Sequence, residues 1–254
     1  MRSAVAGVRG VPALDDGAPE RLPGGIDVQK LGEPGYTQWP SMGAHGRWTE
    51  PAGASDEAIR AGAAASMELL VGSNTEETRL FLFSDGSIDR ITEESLSRLA
   101  AAYGLSAEGL NAYRAAYPGA STGDLFSAIQ TDWYWRIPAL RMADAHTAKA
   151  RAATFMYEFA WRSPQMSGRL GAAHGMEIAF VFDTLGLGTE PMLGRDPPQP
   201  LADAMHRAWV SFAVSGDCGW PQYDPVRRAS MRFDLTSKVD NNPLGPALAF
   251  WRAR

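Results

Sequence analysis

The sequence predicts an α/β fold in which a sheet of few strands is combined with many helices. Three observations carry that expectation. Short β-prone runs, "MELLVGSN", "TFMYEFAW" and "ASMRFDL", alternate with longer stretches whose apolar residues recur every three or four positions. The chain has 254 residues, 45% of them apolar, enough to build a real core. Its one cysteine, Cys218, excludes both a disulfide framework and a cysteine zinc site as the source of stability.

The elements follow in order. Residues 1–55 are rich in Gly, Pro and Ala and keep neither the helix nor the strand period, so an irregular or disordered segment is expected there. Residues 56–254 read as the folded part. "SDEAIRAGAAAS" predicts a short Ala-rich helix, and "MELLVGSN" a strand closed by Gly-Ser-Asn. Leu96, Leu99 and Tyr103 share one face of a first helix; Leu110, Tyr113 and Tyr117 share one face of a second, which stops at Pro118-Gly119. "DLFSAIQTDWYW" is helical, with a restart expected at Pro138, because proline's missing N–H has no partner in a first turn. "TFMYEFAW" is the next strand, left through the Gly-rich turn of "GAAHGMEIAFVF". "PLADAMHRAWVSFAVSG" is an amphipathic helix and "ASMRFDL" the last short strand.

Charge narrows the function. The net charge of −5 and the lack of a Lys/Arg block argue against a nucleic-acid partner or an anionic membrane surface. No apolar run approaches the roughly 18 residues of a membrane span. The first residues carry no apolar signal core, so the cytoplasm is the default expectation for the compartment. No metal and no cofactor are expected.

Two residues stand at strand ends, where sites form in open α/β sheets. Glu77 follows the first strand and His174 follows the second. A carboxylate can fix an imidazole's tautomer and stabilise its protonated form during acyl transfer. Plainer readings stand beside this one. Asn74-Thr75-Glu76-Glu77 fits an N-cap with Glu at N3, and His174 lies among small loop residues. His146 and His206 fall on helices and read as surface or packing residues; His45 follows no strand.

Ser121 lies in "GASTG", a formal G-x-S-x-G. A nucleophile elbow needs a strand before the serine and a helix after it. Ser121 instead follows a helix stop, and Ser121-Thr122-Gly123-Asp124 fits a helix-start signal. It is read as a decoy for the nucleophile.

Longer segments add a resemblance. "LLVGSNTEETRLFLF" resembles the acid-residue segment of the type-B carboxylesterase and cholinesterase family, roughly G-x-N-x-D-E-G. "GAAHGMEIAFVF" resembles its histidine loop, and "TDWYWRIPALRMADAH", "TFMYEFAW" and "AWVSFAVSGDCGWPQYDPVRRASMRFD" are similar to further segments in family order. The resemblance implies the C-terminal portion of an α/β-hydrolase fold, with the N-terminal half of the sheet missing. It makes Glu77 the triad acid and His174 the general base. It places Leu80 and Phe81 beside the substrate gorge and Glu177 at a buried acidic position behind the histidine. Glu76 fills the acidic slot before the triad member. Thr78 stands where the family usually has Gly, and Cys218 where it has Pro.

The family's oxyanion-hole glycines and G-E-S-A-G-type elbow precede the acid segment. Here "LPGGID" is the only counterpart, and it follows no strand. The resemblance therefore implies a carboxylic-ester hydrolase fragment that holds the acid and the base and is inactive alone. Its parent would act on a small-molecule carboxylic ester, with an N-terminal half of a split hydrolase as a partner. Two alternatives remain open: a small esterase using Ser121, and a non-catalytic cholinesterase-like binding module.

Overall fold

The computed structural model describes residues 58–149, 151–243 and 246–251. The irregular segment expected over 1–55, "LPGGID" and His45 lie outside them. Strand β1 (Leu69–Asn74) leads into helices α1 (Arg79–Ser84), α2 (Glu93–Ala102), α3 (Ala107–Ala116) and α4 (Thr122–Thr131). A π turn over Asp132–Arg136 joins α4 to α5 (Ile137–Thr147). Then come β2 (Thr154–Phe159), α6 (Met176–Val181), α7 (Glu190–Leu193), α8 (Gln199–Ser215), β3 (Ala229–Phe233) and β4 (Lys238–Asn241). The sheet order is β1-β2-β3-β4. The first three strands are parallel, with Leu69 opposite Thr154 and Tyr157 opposite Met231, and β4 is antiparallel to β3.

The alternation of β2 explains why helices cover both faces. Phe155, Tyr157 and Phe159 point into one core with Phe180 of α6 and Met205 of α8. Met156 points into the other, with Leu96, Tyr113, Ile129 and Leu140 from α2, α3, α4 and α5. Successive strand side chains face opposite ways, so one buried strand feeds two layers. Each large side chain buried there stabilises the fold by about 1.5–3 kcal/mol. Gly72 interrupts the apolar run of β1 for a steric reason. A Cβ there would sit 2.3 Å from the Tyr157 carbonyl oxygen and 2.5 Å from its ring.

A buried ionic group ties the π turn to the sheet. Arg136 contacts Asp132 at 2.8 Å and Glu158 of β2 at 3.1 Å, and Arg232 of β3 reaches Glu158 at 2.6 Å. Arg136 also donates to the Thr75 carbonyl at the end of β1 (3.3 Å). Tyr113 donates to Asp132, and the Trp251 indole donates to the Tyr113 hydroxyl at 2.7 Å.

The structure departs from four sequence expectations. The helix expected over 55–66 is helical in its described part only at 58–60, then turns; Gly62 (φ 102°) and Ala64 (φ 59°) adopt left-handed backbone that a helix cannot continue through. The restart expected at Pro138 is not a break. Ile137 N–H reaches back five residues to Asp132 O, so the helix passes through a wider turn and Pro138 sits in the first turn of α5. The Gly-rich turn after β2 ends in a helix, α6, capped by Gly175 at φ 77°. β3 is not the last strand, because the polar β4 pairs with it.

Candidate active site

The loop after β1 and the loop before α6 are stitched together. Glu76 N–H donates to Ala172 O (3.1 Å), and His174 N–H to Glu77 O (3.3 Å). The Glu76 carboxylate accepts the Ala172 N–H at 2.9 Å, takes Arg79 at 2.9 Å and also pairs with Arg162. Gly171 is required where the loops cross: its φ is 69°, and a Cβ would meet Glu76 Oε2 at 2.2 Å. Glu76 thus belongs to the seam between the loops.

That seam sets Glu77 against His174. Glu77 Oε2 lies 2.7 Å from His174 Nδ1, and its other oxygen accepts the Asn74 N–H at 2.7 Å. The second contact is one half of the capping box expected from Asn74-Thr75-Glu76-Glu77. Asn74 does not return it: its Oδ1 accepts no hydrogen bond, while its side-chain nitrogen donates to Ala173 O (2.8 Å) and Glu177 Oε2 (2.5 Å). The Glu77 side chain is 5% exposed, while that of His174 is 47% exposed. The hydrogen bond to Glu77 raises the His174 pKa above the ordinary imidazole value, burial opposes it, and the Glu77 charge adds to the rise. With Nδ1 held by the carboxylate, Nε2 makes no hydrogen bond to any described residue.

Phe81 of α1 lies beside the imidazole, with ring centroids 5.4 Å apart. Leu80 turns the other way and packs against the core that holds Phe159 and Phe180. Trp135 of the π turn also meets His174, at 5.8 Å. Glu177 is half-buried in the first turn of α6, and burial raises its carboxyl pKa despite the hydrogen bond from Asn74. Asn74 and Trp135 were not singled out from sequence. Asn74 read as a cap, and Trp135 as one of three adjacent aromatics on a helix.

Ser121 is not brought to this pair. It is the N-cap of α4 in a complete capping box: Oγ accepts the Asp124 N–H at 3.1 Å, and Asp124 Oδ2 accepts the Ser121 N–H at 3.1 Å. The hydroxyl donates to the same carboxylate at 2.7 Å, and His174 is not among its partners. A cleft of about 450 Å³ beside this turn is lined by Thr75, Arg79, Tyr117, Asp124, Ser127 and Arg162, among others; Ser121, Glu77 and His174 do not line it. His146 is a packing residue, buried against Thr154 at 2.7 Å, and His206 contacts the Val181 carbonyl at 2.9 Å. Among the described residues no group of His, Cys, Asp and Glu is arranged to hold a metal, and no helix is long and apolar enough to cross a membrane.

The chain is similar in sequence and in fold to known proteins. The para-nitrobenzyl esterase of Bacillus subtilis (strain 168) is 29% identical over 197 residues, which is 74% of this chain and 38% of that protein. The fumonisin B1 esterase of Sphingopyxis macrogoltabida is 31% identical over 183 residues, 66% of this chain and 32% of that protein. In three dimensions, the Geobacillus stearothermophilus carboxylesterase EST55, crystallised at pH 6.2, superposes with a TM-score of 0.67 at 32% identity. The match covers 78% of this chain and 43% of that one. The chain therefore spans well under half the length of each of these relatives, and its fold is that of part of an α/β-hydrolase. The model of the carboxylesterase family matches residues 50–251, and the chain belongs to that family.

Proposed function

We propose that Glu77 and His174 are the acid and the base of a serine-esterase triad acting on a carboxylic ester. A serine hydroxyl attacks the ester carbonyl while His174 Nε2 takes its proton. His174 then returns that proton to the departing alkoxide, leaving an acyl-serine. Water repeats the sequence through the same nitrogen and releases the acid. Glu77 stays ionised throughout, keeping Nδ1 protonated and stabilising the imidazolium. The observation that carries this reading is the 2.7 Å contact between a buried carboxylate and Nδ1 of a half-exposed histidine.

The nucleophile in this proposal is not Ser121, whose hydroxyl is committed to a helix cap. Among the described residues no hydroxyl is hydrogen-bonded to His174 Nε2, so in this reading the nucleophile is supplied from elsewhere and Ser121 carries no esterase turnover. Incubation with a fluorophosphonate probe, followed by peptide mass mapping, tests both statements. We expect no adduct at Ser121. An adduct there that disappears in H174Q would make Ser121 the nucleophile and overturn this part of the reading.

A further inference from the structure

We infer that Trp135 is a positioning residue for His174: its indole and the Phe81 ring form an aromatic pair on which the imidazole rests, and which favours its cationic form. The inference rests on the reading of Glu77 and His174 as acid and base. It starts from three ring contacts. Phe81 and Trp135 lie nearly parallel, 6° apart, with centroids 6.4 Å apart. His174 leans on both, at 5.4 Å and 42° from Phe81 and at 5.8 Å and 49° from Trp135. A cation within about 6 Å of an aromatic face is attracted by the ring quadrupole, most strongly by an indole.

The backbone that delivers Trp135 is held by its neighbours in the turn. The π turn places three aromatics in a row; the first two meet Tyr103 and the third meets His174. Trp133 stacks on Tyr103 at 5.0 Å, and Tyr134 bonds the Tyr103 hydroxyl at 3.1 Å. Trp135 goes to the imidazole. Arg136, at the end of the turn, is held in the buried ionic group with Asp132 and Glu158. Single π turns inside α-helices are frequent at functional sites. Here the wider turn is what aims an indole at a histidine 39 positions along the chain by residue number.

Among the described residues, the charged groups that act on His174 are Glu77, from the loop after β1, and Glu177, from α6. Both favour the imidazolium, and the aromatic pair adds to them. A general base needs a proton affinity suited to its task and a ring that does not swing away from its orienting carboxylate. Glu77 holds one atom of the ring. The aromatic pair supplies the surface that fixes its plane.

The test is an NMR titration of the His174 ring nitrogens in the unmodified chain and in W135L, W135F and E77Q, with H174Q used to assign the signal. W135L keeps a bulky apolar side chain without a π face, and W135F keeps the face. We expect the His174 midpoint to fall by about half a pH unit in W135L, the size of one exposed cation–π contact. W135F should stay near the unmodified value, and E77Q should fall further than W135L. A W135L curve that superimposes on the unmodified one, with E77Q displaced, overturns the role of Trp135 and leaves the acid–base reading standing. A W135F midpoint as low as that of E77Q also overturns it, since a retained ring face would then count for nothing. An E77Q curve that superimposes on the unmodified one overturns the acid–base reading itself.

Discussion

Asn74 holds Glu177 to the sheet: its side-chain amide donates to Glu177 Oε2 at 2.5 Å and to Ala173 O at 2.8 Å, joining α6 and the histidine loop to the end of β1. Burial raises the Glu177 carboxyl above the ordinary range, so the folded chain holds this proton more tightly than the unfolded one. Stability from this group is then present below the ordinary carboxylate pKa and is lost as pH rises through the raised folded value. The neutral variant E177Q can still accept from Asn74. Thermal melts should show E177Q gaining on the unmodified chain at neutral pH and losing that gain in acid. An equal or lower midpoint at neutral pH would contradict this.

His174 gives a second pH-dependence of the same sign. Its folded pKa is raised, chiefly by the hydrogen bond to Glu77, so its contribution is complete below the unfolded imidazole value of about 6.5 and disappears as pH rises through the folded value. In E77Q this slope should flatten between mildly acidic and mildly basic pH. Urea midpoints collected across that range measure it. Parallel curves for E77Q and the unmodified chain would count against a coupled pair.

Ser121 acts in stability. S121A removes the side-chain acceptor for the Asp124 N–H and one of the bonds that keep the Asp124 carboxyl ionised. Loss of an N-cap costs about 1 kcal/mol, and urea unfolding should show a loss of that size. S121G should lose only a few tenths of a kcal/mol. A neutral S121A would remove the cap assignment.

The ionic group under the sheet gives the largest expected loss. R136M leaves Asp132 and Glu158 buried without their shared cation, and breaking one partner of a buried pair costs about 3–5 kcal/mol. R232M should cost less, because Arg232 is 32% exposed on its side chain and Glu158 keeps Arg136. Chemical denaturation of the two variants side by side checks the order, and a reversed order would refute it.

The outer edge of β1 predicts association. Among the described residues no strand pairs with that side, and "LLVGSN" carries neither a charge nor a proline to discourage pairing. Sedimentation of the chain over a concentration series should show growth in mass. A monomer at every concentration would contradict this.

Much of the fold was legible in the sequence because it is written in local patterns. The runs at β1, β2 and β3 and the helix faces of Leu96 and Leu110 announce themselves within a few residues. β4 escaped because "KVDN" has a single apolar residue, Val239, too little for a strand pattern. The π turn escaped because "DWYWR" keeps the apolar character of the helices on either side. Glu77 was reachable as a polar residue three positions past β1, and His174 as the polar member of a Gly-rich loop, fifteen positions past β2 and just before α6. Asn74 was not reachable as the link between them, since its partners Ala173 and Glu177 lie 99 and 103 residues away. Trp135 was hidden for the same reason: only tertiary structure says which of three neighbouring aromatics meets a histidine.

The parallel pairing of β1 with β2 also has a kinetic consequence. Leu69 meets Thr154 only after the whole run of α1 to α5 has been spanned, and Glu77 and His174 are 97 residues apart. The helices between them close over short distances and can form early. Strand pairing across so long a loop is slow, because the chain gives up its closure entropy before any contact compensates. The carboxylate–imidazole pair is therefore among the last features to assemble, and its arrival reports completion of the sheet.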